Sequence, residues 1–201
     1  MPLWLASTSL VLASRSAARR ALLEAAGVPV EVSPANIDER SLETAASAAP
    51  AALAARLAQQ KALAVARSHP GRLVLGADQT LARDGEFFTK PADRAAARAQ
   101  LRALSGRTHE LHSAIVFVRD ATVVCEHVGT ARLTMRSFSD RFLDAYLDTV
   151  GNTATASVGA YHFEGPGIQL FEQVEGDYFT ILGLPLLAVL DVLRRHGCLI
   201  P

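Results

Sequence analysis

Two kinds of hydrophobic pattern alternate along the chain. Short apolar runs predict β-strands over residues 10–13, 28–32, 73–77, 80–83, 86–89, 110–118, 122–134 and 168–174. Longer stretches of helix-forming composition predict helices over residues 17–26, 50–67, 93–104, 140–148 and 185–195. Residues 151–167 are rich in small side chains and lack periodicity, so they predict a long loop.

Turn residues between these elements indicate how the strands connect. Asp84 and Gly85 separate two apolar runs and are a strong signal for a tight hairpin, which joins antiparallel strands. Residues 119–121 separate two longer runs that predict a second antiparallel pair. Because strands and helices are otherwise interspersed without strict alternation, the pattern predicts an α/β fold with a twisted, mixed sheet and two lobes.

Composition and charge exclude several classes of protein. The 201 residues carry 20 basic and 20 acidic side chains, and a nonspecific nucleic-acid binder would need a basic excess. No apolar run approaches the ~20 residues of a membrane span, and the apolar N-terminus lacks the early basic residues of a signal peptide. Cys125 and Cys198 match no metal-binding spacing, so we interpret them as reduced, buried thiols of a cytoplasmic protein.

A serine-containing loop after the first strand is a candidate anion site. Ser14 and Ser16 precede a helix whose first backbone N–H groups have no helical partner, and Arg19 and Arg20 add positive charge there. Basic side chains in a first turn oppose the helix dipole unless an anion is bound. The alternative is that Ser16 only caps the helix and the arginines form a solvated face.

Three ionisable residues are unusual for their positions. Lys61 lies on the apolar stripe of its predicted helix, and it either reaches past that stripe to solvent or projects into a cleft. Asp78 follows a buried strand, and ligands of α/β sheets collect at the carboxyl ends of strands, although a carboxylate there can also cap a turn. Lys90 comes twelve residues later, and the hairpin folds its segment back toward the strand end.

Asp38 and Glu39 form an acidic pair after the second strand. Adjacent carboxylates are hard oxygen ligands of the kind that suits a divalent cation. The same pair could simply precede a helix, so the sequence leaves both interpretations open.

Six segments resemble the successive signature blocks of the Maf family of nucleoside triphosphate pyrophosphatases. They occur in family order between about residues 10 and 195 and read LVLASRSAARRALLEAAG, IDER, AQQKALAVA, VLGADQTLARDGEFFTKP, LRALSGRTHELHSA and FEGPGIQLFEQVEGDYFTILGLPL. The resemblance implies a single domain over residues 1–201. It also implies a fold similar to that of the inosine triphosphatase-like enzymes, with a deep cleft between two lobes.

The resemblance further implies hydrolysis of a nucleoside triphosphate between its α and β phosphates, with a divalent metal such as Mg²⁺ or Mn²⁺. Asp78 matches the family's proposed general base. The residues that match or border the phosphate-binding loop are Ser14, Ser16, Arg19 and Arg20, and the other polar cleft positions are Glu39, Lys61 and Lys90.

These residue assignments are consistent with what hydrolysis at the α phosphate requires. Attack of water on the α phosphorus is accelerated by positive charge around the phosphoryl oxygens, which Lys61, Lys90 and Arg19 would supply. An aspartate is a feeble base at neutral pH, so we expect a metal ion held by Asp78 and Glu39 to activate the water.

Three positions bear on which base is bound. Family members that resemble 7-methyl-GTP hydrolases carry Trp, Gln and Glu where this chain has Ala18, Gln79 and Glu164. The Glu164 carboxylate would accept hydrogen bonds from a guanine and would favour the positive charge that methylation adds. Ala18 is the departure, because it offers no stacking surface. A dTTP or UTP pyrophosphatase is the alternative.

The resemblance also implies a second class of function, a nucleotide-binding regulator of septum formation that does not turn its ligand over, because the same residues would serve binding alone. The release of pyrophosphate separates the two classes. We expect a nucleotide as partner and neither nucleic acid nor a membrane, and a homodimer is left open.

Overall fold

The structure is a computed structural model that describes residues 2–39 and 49–201. Contacts divide the chain into two compact units. Unit 1 consists of Met1–Gln79, His112–Gly129 and Asp177–Pro201, and unit 2 consists of Thr80–Leu111 and Thr130–Gly176. Arg40, the last residue of the IDER segment, lies outside the described residues.

Within these ranges, seven strands form one mixed sheet. They are β1 Leu10–Leu12, β2 Val30–Val32, β3 Val74–Arg83, β4 Glu86–Phe88, β5 Thr108–Arg119, β6 Thr122–Met135 and β7 Phe171–Glu175. Their order is β2-β1-β3-β5-β6-β7, and β4 pairs with β3. Strand β1 is parallel to β2 and β3, whereas β4 is antiparallel to β3 and β7 to β6. The prediction of an α/β fold with a mixed sheet is confirmed.

The part of the chain that the structure describes holds six α-helices. They are α1 Ala17–Ala25, α2 Pro50–Ala66, α3 Arg94–Leu104, α4 Asp140–Val150, α5 Tyr178–Ile181 and α6 Leu186–Arg195. All but the short α5 lie within two residues of the predicted bounds. Ser16, Asp93 and Ser139 each accept a first-turn backbone N–H through the side chain, which fixes the starts of α1, α3 and α4.

Both predicted hairpins turn through two residues of positive φ. The φ angles are 53° and 81° at Asp84 and Gly85, and 49° and 62° at Asp120 and Ala121. Positive φ at both central positions is the type I′ turn, whose twist matches that of paired strands. Strands β5 and β6 are neighbours joined by such a turn, so they form the second antiparallel pair that the sequence predicts.

Unit 1 buries both faces of its strands, because successive side chains point to opposite faces. One face packs against α1 and α6, and its buried members include Leu10, Leu12, Leu23, Leu75, Ala77, Val189 and Val192. The other face packs against α2, and its members include Val11, Ala13, Ala54, Ala58, Ala62 and Val74. The alternation decides which helix each residue of β3 meets.

Two predicted boundaries are wrong. Strand β3 runs unbroken from Val74 to Arg83, so Asp78 and Gln79 lie inside a strand and not at its end. The residues predicted as a long loop contain two short 3₁₀-helices, Gly151–Thr155 and Val158–Ala160. A third, Gly165–Leu170, runs into the predicted strand, so β7 begins only at Phe171. Such short i to i+3 turns leave no hydrophobic period in a sequence.

The cysteines match their prediction in part. Both are free; Cys198 is buried, and burial raises the pKa of its thiol. Cys125 is only half-buried, because it lies on a strand whose residues are largely exposed. No helix among the described residues is long and apolar enough to cross a membrane.

Candidate active site

Lys61 and Asp78 form a buried ion pair in unit 1. The Lys61 Nζ lies 2.5 Å from Asp78 Oδ1 and 3.0 Å from Glu39 Oε2. Lys61 and Asp78 are each 8% exposed, whereas Glu39 is exposed. Lys61 therefore projects inward and does not reach past its helix to solvent, and one ammonium group joins two carboxylates from separate segments.

A glycine allows this approach. A Cβ at Gly76 would overlap the Ala58 carbonyl oxygen and would lie 2.9 Å from the Ala62 Cβ. Helix α2 thus packs directly on the backbone of β3. Because Gly76 and Asp78 share a face of the strand, the same close packing brings Lys61 of α2 to Asp78.

Arg19 is held by backbone carbonyl groups. Its guanidinium donates to the carbonyl oxygens of Gly183 and Ala77, each at 2.8 Å, and to Ser14 Oγ at 3.1 Å. Burial lowers the pKa of Arg19, and the carboxylates of Asp78 and Glu39 act in the opposite direction. Arg19 therefore lies within electrostatic reach of both carboxylates.

The loop that contains Ser14 and Ser16 makes the ordinary hydrogen bonds of a helix start. Ser16 accepts the Arg19 backbone N–H at 3.3 Å, and Ser14 Oγ accepts the Ser16 N–H at 3.3 Å. Arg20 is exposed and its Nε donates to Glu24 Oε1 at 2.7 Å, and Ala18 is exposed. Both arginines have partners within the protein, which offset their unfavourable position at the helix start. The dipole alone is therefore not evidence for an anion.

Gln79 lies on the opposite face of β3 from Asp78. Its Nε2 is 2.9 Å from Ser113 Oγ and 3.1 Å from the carbonyl oxygens of Thr180 and Ile181. Ser113 Oγ itself donates to the Thr180 carbonyl at 2.8 Å, so it accepts from Gln79. The amide donors of Gln79 are therefore committed inside unit 1.

A family model described as Maf-like protein matches residues 9–196, a range that includes every residue of this cluster. The chain belongs to the Maf family. The relationship that the sequence segments predict is confirmed.

Close relatives of this Maf-family chain carry one name. A protein of Rhodopseudomonas palustris (strain BisB18), named nucleoside triphosphate pyrophosphatase, is 55% identical over 99% of both chains. A protein of the same name from Paramagnetospirillum magneticum (strain ATCC 700264 / AMB-1) is 53% identical over 95% of this chain and all of its own. A solved dITP/XTP pyrophosphatase of Mycobacterium abscessus covers 94% of this chain and 97% of its own at 19% identity, with a TM-score of 0.41. That likeness is too weak to support a fold assignment.

Two predicted Maf-family positions belong to unit 2. Lys90 is exposed and follows β4. Glu164 is exposed and lines a cavity of about 360 Å³ with Tyr146, Val150, Thr153, His162, Pro166 and Gly167. Burial raises the pKa of Tyr146 to about 12, and no described residue bonds its Oη. The cavity has the size of a small-ligand pocket.

The two carboxylates beside Lys61 supply only part of the ligands that a divalent cation takes. Residues 2–39 and 49–201 contain no group of three or more His, Cys, Asp or Glu side chains arranged to hold a metal. Asp78 and Glu39 do converge on one cationic atom. Mg²⁺ is often bound by one or two carboxylates together with substrate phosphates, so these two carboxylates suit that mode.

Sequence reasoning missed the groups that hold Arg19 and Gln79. Ser113 and Thr180 are buried polar residues, at 0% and 3% exposure. Ser113 stands in the apolar run of β5, and a buried hydroxyl in such a run needs a partner, which is a signal that the sequence does contain. The carbonyl groups of Ala77 and Gly183 carry no signal, because every residue has one.

Proposed function

We propose that this Maf-family chain hydrolyses a nucleoside triphosphate to the monophosphate and pyrophosphate. The observation that carries the proposal is the cluster of Lys61, Asp78 and Glu39, with Arg19 within electrostatic reach. Burying charged groups is costly, so a cluster of this kind is more often found where chemistry requires it. The shared name of the relatives supports the same activity.

Each residue of the cluster has a role in this proposal. An ammonium group has three donors, and within the described ranges 2–39 and 49–201 Lys61 donates to Asp78 and Glu39, so we assign its third donor to a phosphoryl oxygen. Arg19, held rigid by two carbonyl groups, adds charge that needs no rearrangement during the reaction. Asp78, whose carboxylate Lys61 orients, would accept a hydrogen bond from the attacking water, and a metal held by Asp78 and Glu39 would make that water easier to deprotonate.

A divalent metal belongs to the proposal, with Asp78 and Glu39 as the residues that would hold it. When bound it would neutralise charge on the phosphoryl oxygens. Lys90 is proposed as a further cation for the phosphates, and Ser14 and Ser16 as neutral donors, whereas Arg20 is committed to Glu24.

Product analysis tests the activity. The purified protein is incubated with a panel of nucleoside triphosphates and Mg²⁺ or Mn²⁺ in ¹⁸O-labelled water. We expect monophosphate and pyrophosphate in equal amounts, with the label in the monophosphate because water attacks the α phosphorus. Label in pyrophosphate, or a diphosphate product, would contradict this chemistry. Tight binding of a nucleotide without any product would favour the regulator instead.

We also propose that the preferred substrate is of the 7-methyl-GTP type. The Glu164 carboxylate lines a cavity of about 360 Å³ whose size suits a base, and it would accept guanine N–H groups. The Gln79 contacts support this less, because the amide donors are already used. The alternative remains a dTTP or UTP pyrophosphatase.

Glu164→Gln tests the base assignment. We expect kcat/KM for guanine-type substrates to fall about tenfold relative to pyrimidine substrates, since one charge-assisted hydrogen bond is lost. Glu172→Gln, at an exposed position of β7, removes the same charge and serves as the control. An unchanged substrate ranking in Glu164→Gln would remove Glu164 as a base-reading residue.

The remaining parts of the proposal are a cytoplasmic location and a single domain spanning residues 1–201. The homodimer and the lack of nucleic-acid and membrane partners stay predictions.

A further inference from the structure

The turn at residues 180–183, which follows the short helix α5, holds the side chain of Arg19. The Gly183 carbonyl oxygen accepts the Arg19 Nε–H at 2.8 Å, and Gly183 has a φ of 92°, a conformation that favours glycine. A Cβ built at Gly183 would lie 3.6 Å from Gln79 Oε1 and 3.7 Å from Arg19 Nε. Both side chains therefore flank this residue, and the orientation of the Arg19 guanidinium depends on where the turn is held.

Strands β3 and β5 hold the turn through the carbonyl oxygen of Thr180. This oxygen accepts from Ser113 Oγ of β5 at 2.8 Å and from Gln79 Nε2 of β3 at 3.1 Å. It also accepts the Gly183 backbone N–H at 3.1 Å. The hydroxyl group of Ser113 is thus linked, through one carbonyl group, to the residue that binds Arg19.

The surroundings of Thr180 leave this link no substitute. Ser113 and Thr180 are both buried, so water does not take the place of a lost donor, and an unsatisfied buried carbonyl group is costly. The Thr180 hydroxyl is fixed as well, because it donates to Asp177 Oδ2 at 3.0 Å. A Cβ at Gly129 would lie 2.7 Å from that hydroxyl oxygen, so glycine leaves the room that Thr180 occupies.

Arg19 spans the turn and β3. Its Nη1 donates to the Ala77 carbonyl oxygen of β3 at 2.8 Å, while its Nε donates to Gly183 of the turn. A shift of the turn relative to β3 therefore breaks one of these bonds or rotates the guanidinium group. A cation that stabilises developing charge works best when it is in place before the reaction, so such a shift would weaken its effect.

We propose that Ser113 is a positioning residue for Arg19, an inference that rests on the proposed function. Ser113 acts through the Thr180 carbonyl group and contacts none of the reacting atoms itself. Its hydroxyl group keeps the turn in register with β3, so that Arg19 retains both of its carbonyl partners.

The Nε–H of Arg19 gives a direct readout of this positioning. In the ¹⁵N-labelled protein without nucleotide, its NMR signal is identified by its absence from Arg19→Lys. The exchange of this proton with solvent is then measured in the wild type and in Ser113→Ala. We expect exchange to be about threefold to tenfold faster in Ser113→Ala, because the loss of one neutral hydrogen bond lets the turn open more often.

Val192→Ala is the control for a general loss of stability. Val192 is buried in α6 within the same core, so its truncation weakens packing and should leave the hydrogen bonds of the turn in place. The Arg19 signal should exchange at the wild-type rate in this variant. Ser113→Cys keeps a side chain of similar size with a weaker donor, and its exchange rate should lie between those of the wild type and Ser113→Ala. Thermal melting shows which variants are folded, and Ser113→Cys serves as the test if Ser113→Ala is not.

Pyrophosphate release separates positioning from a merely structural role. Ser113→Ala should lower kcat about threefold to tenfold in the wild-type background. In the Arg19→Lys background the same change should cause no further loss, because the group that Ser113 positions is already gone.

Equal losses of kcat in the two backgrounds would overturn the proposal. So would an Arg19 exchange rate that Ser113→Ala leaves unchanged, or one that Val192→Ala raises by the same factor. A wild-type protein that releases no pyrophosphate would instead overturn the proposed function, and the exchange measurement would still decide whether Ser113 positions Arg19.

Discussion

Asp78 and Gln79 are adjacent in sequence, but their side chains lie on opposite faces of β3. Asp78 meets Lys61 of α2, and Gln79 meets Ser113 and the carbonyl of Thr180. In a strand this separation is unavoidable, because neighbouring side chains point in opposite directions. One of these two adjacent polar residues therefore joins the cluster around Lys61, and the amide donors of the other bond groups within unit 1.

The Lys61–Asp78 pair makes a prediction about stability. Lys61→Met removes the ammonium group and leaves the buried Asp78 carboxylate without its closest cation, which should cost about 3 kcal/mol of unfolding free energy. Adding Asp78→Asn removes the stranded charge, so the double variant should regain part of that loss. Urea unfolding of the wild type, both single variants and the double variant measures the coupling. A double variant no more stable than Lys61→Met would show that the two side chains do not interact as described.

His109 makes a prediction about pH. Its Nε2 lies 2.8 Å from the Tyr161 Oη, and burial lowers the pKa of His109 from 6.5 to about 4. Below pH 6.5 the unfolded chain binds a proton that the folded chain does not, so stability falls as the pH drops from 6.5 toward 4. The titration of His109 should lower the free energy of unfolding by about 2 kcal/mol between pH 7 and pH 5.

Unfolding in urea at pH 7 and pH 5 checks the His109 contribution. His109→Gln cannot titrate in this range, so its loss of stability between the two pH values should be smaller than that of the wild type by about 2 kcal/mol. The same loss in both proteins would assign the acid sensitivity to other groups.

At the scale of elements, local signals predicted the helices well. Ser16, Asp93 and Ser139 are side-chain caps that mark the starts of their helices in the sequence itself. The Asp84–Gly85 turn likewise carries its conformation in its residue types. These features depend on a few neighbouring residues, which is why reading the chain alone finds them.

The errors occur where distant contacts decide the structure. The sequence prediction ended a strand at Asp78, but β3 continues because both polar side chains find partners, Gln79 with a residue 101 positions away. The anchoring of Arg19 on Gly183 spans 164 positions. Of the candidate site, the residue types were predictable from the sequence, whereas the groups that orient them were not.

Gly76 provides a test at the contact between α2 and β3. Gly76→Ala should destabilise the fold by about 1–3 kcal/mol through overpacking and should lower the rate of pyrophosphate release, because α2 must move and carry Lys61 away from Asp78. Gly76→Val should have a larger effect on both. Unfolding free energies and rates measured for the pair check the steric cause, and wild-type values for Gly76→Ala would contradict the close packing.

At the scale of the whole molecule, the family match covers residues of both compact units. The Maf-like match over residues 9–196 includes segments of both units, and strands β3, β5 and β6 each contribute residues to both. Neither unit is a continuous stretch of sequence, which is consistent with the proposal of one domain. The neutral net charge fits a protein that binds a small anionic substrate through a local cluster of cations and does not use a basic surface.

The central claim is that the Asp78 carboxylate takes part in the hydrolysis. The most direct measurement is pyrophosphate release by Asp78→Asn, compared with Asp84→Asn as a control. Asp84 lies in the β3–β4 turn with its side chain 86% exposed, and asparagine suits the positive φ there, so the same chemical change should leave the rate within about twofold. We predict that Asp78→Asn lowers kcat on the order of a hundredfold or more while the protein stays folded. A folded Asp78→Asn protein with the wild-type rate would contradict the account.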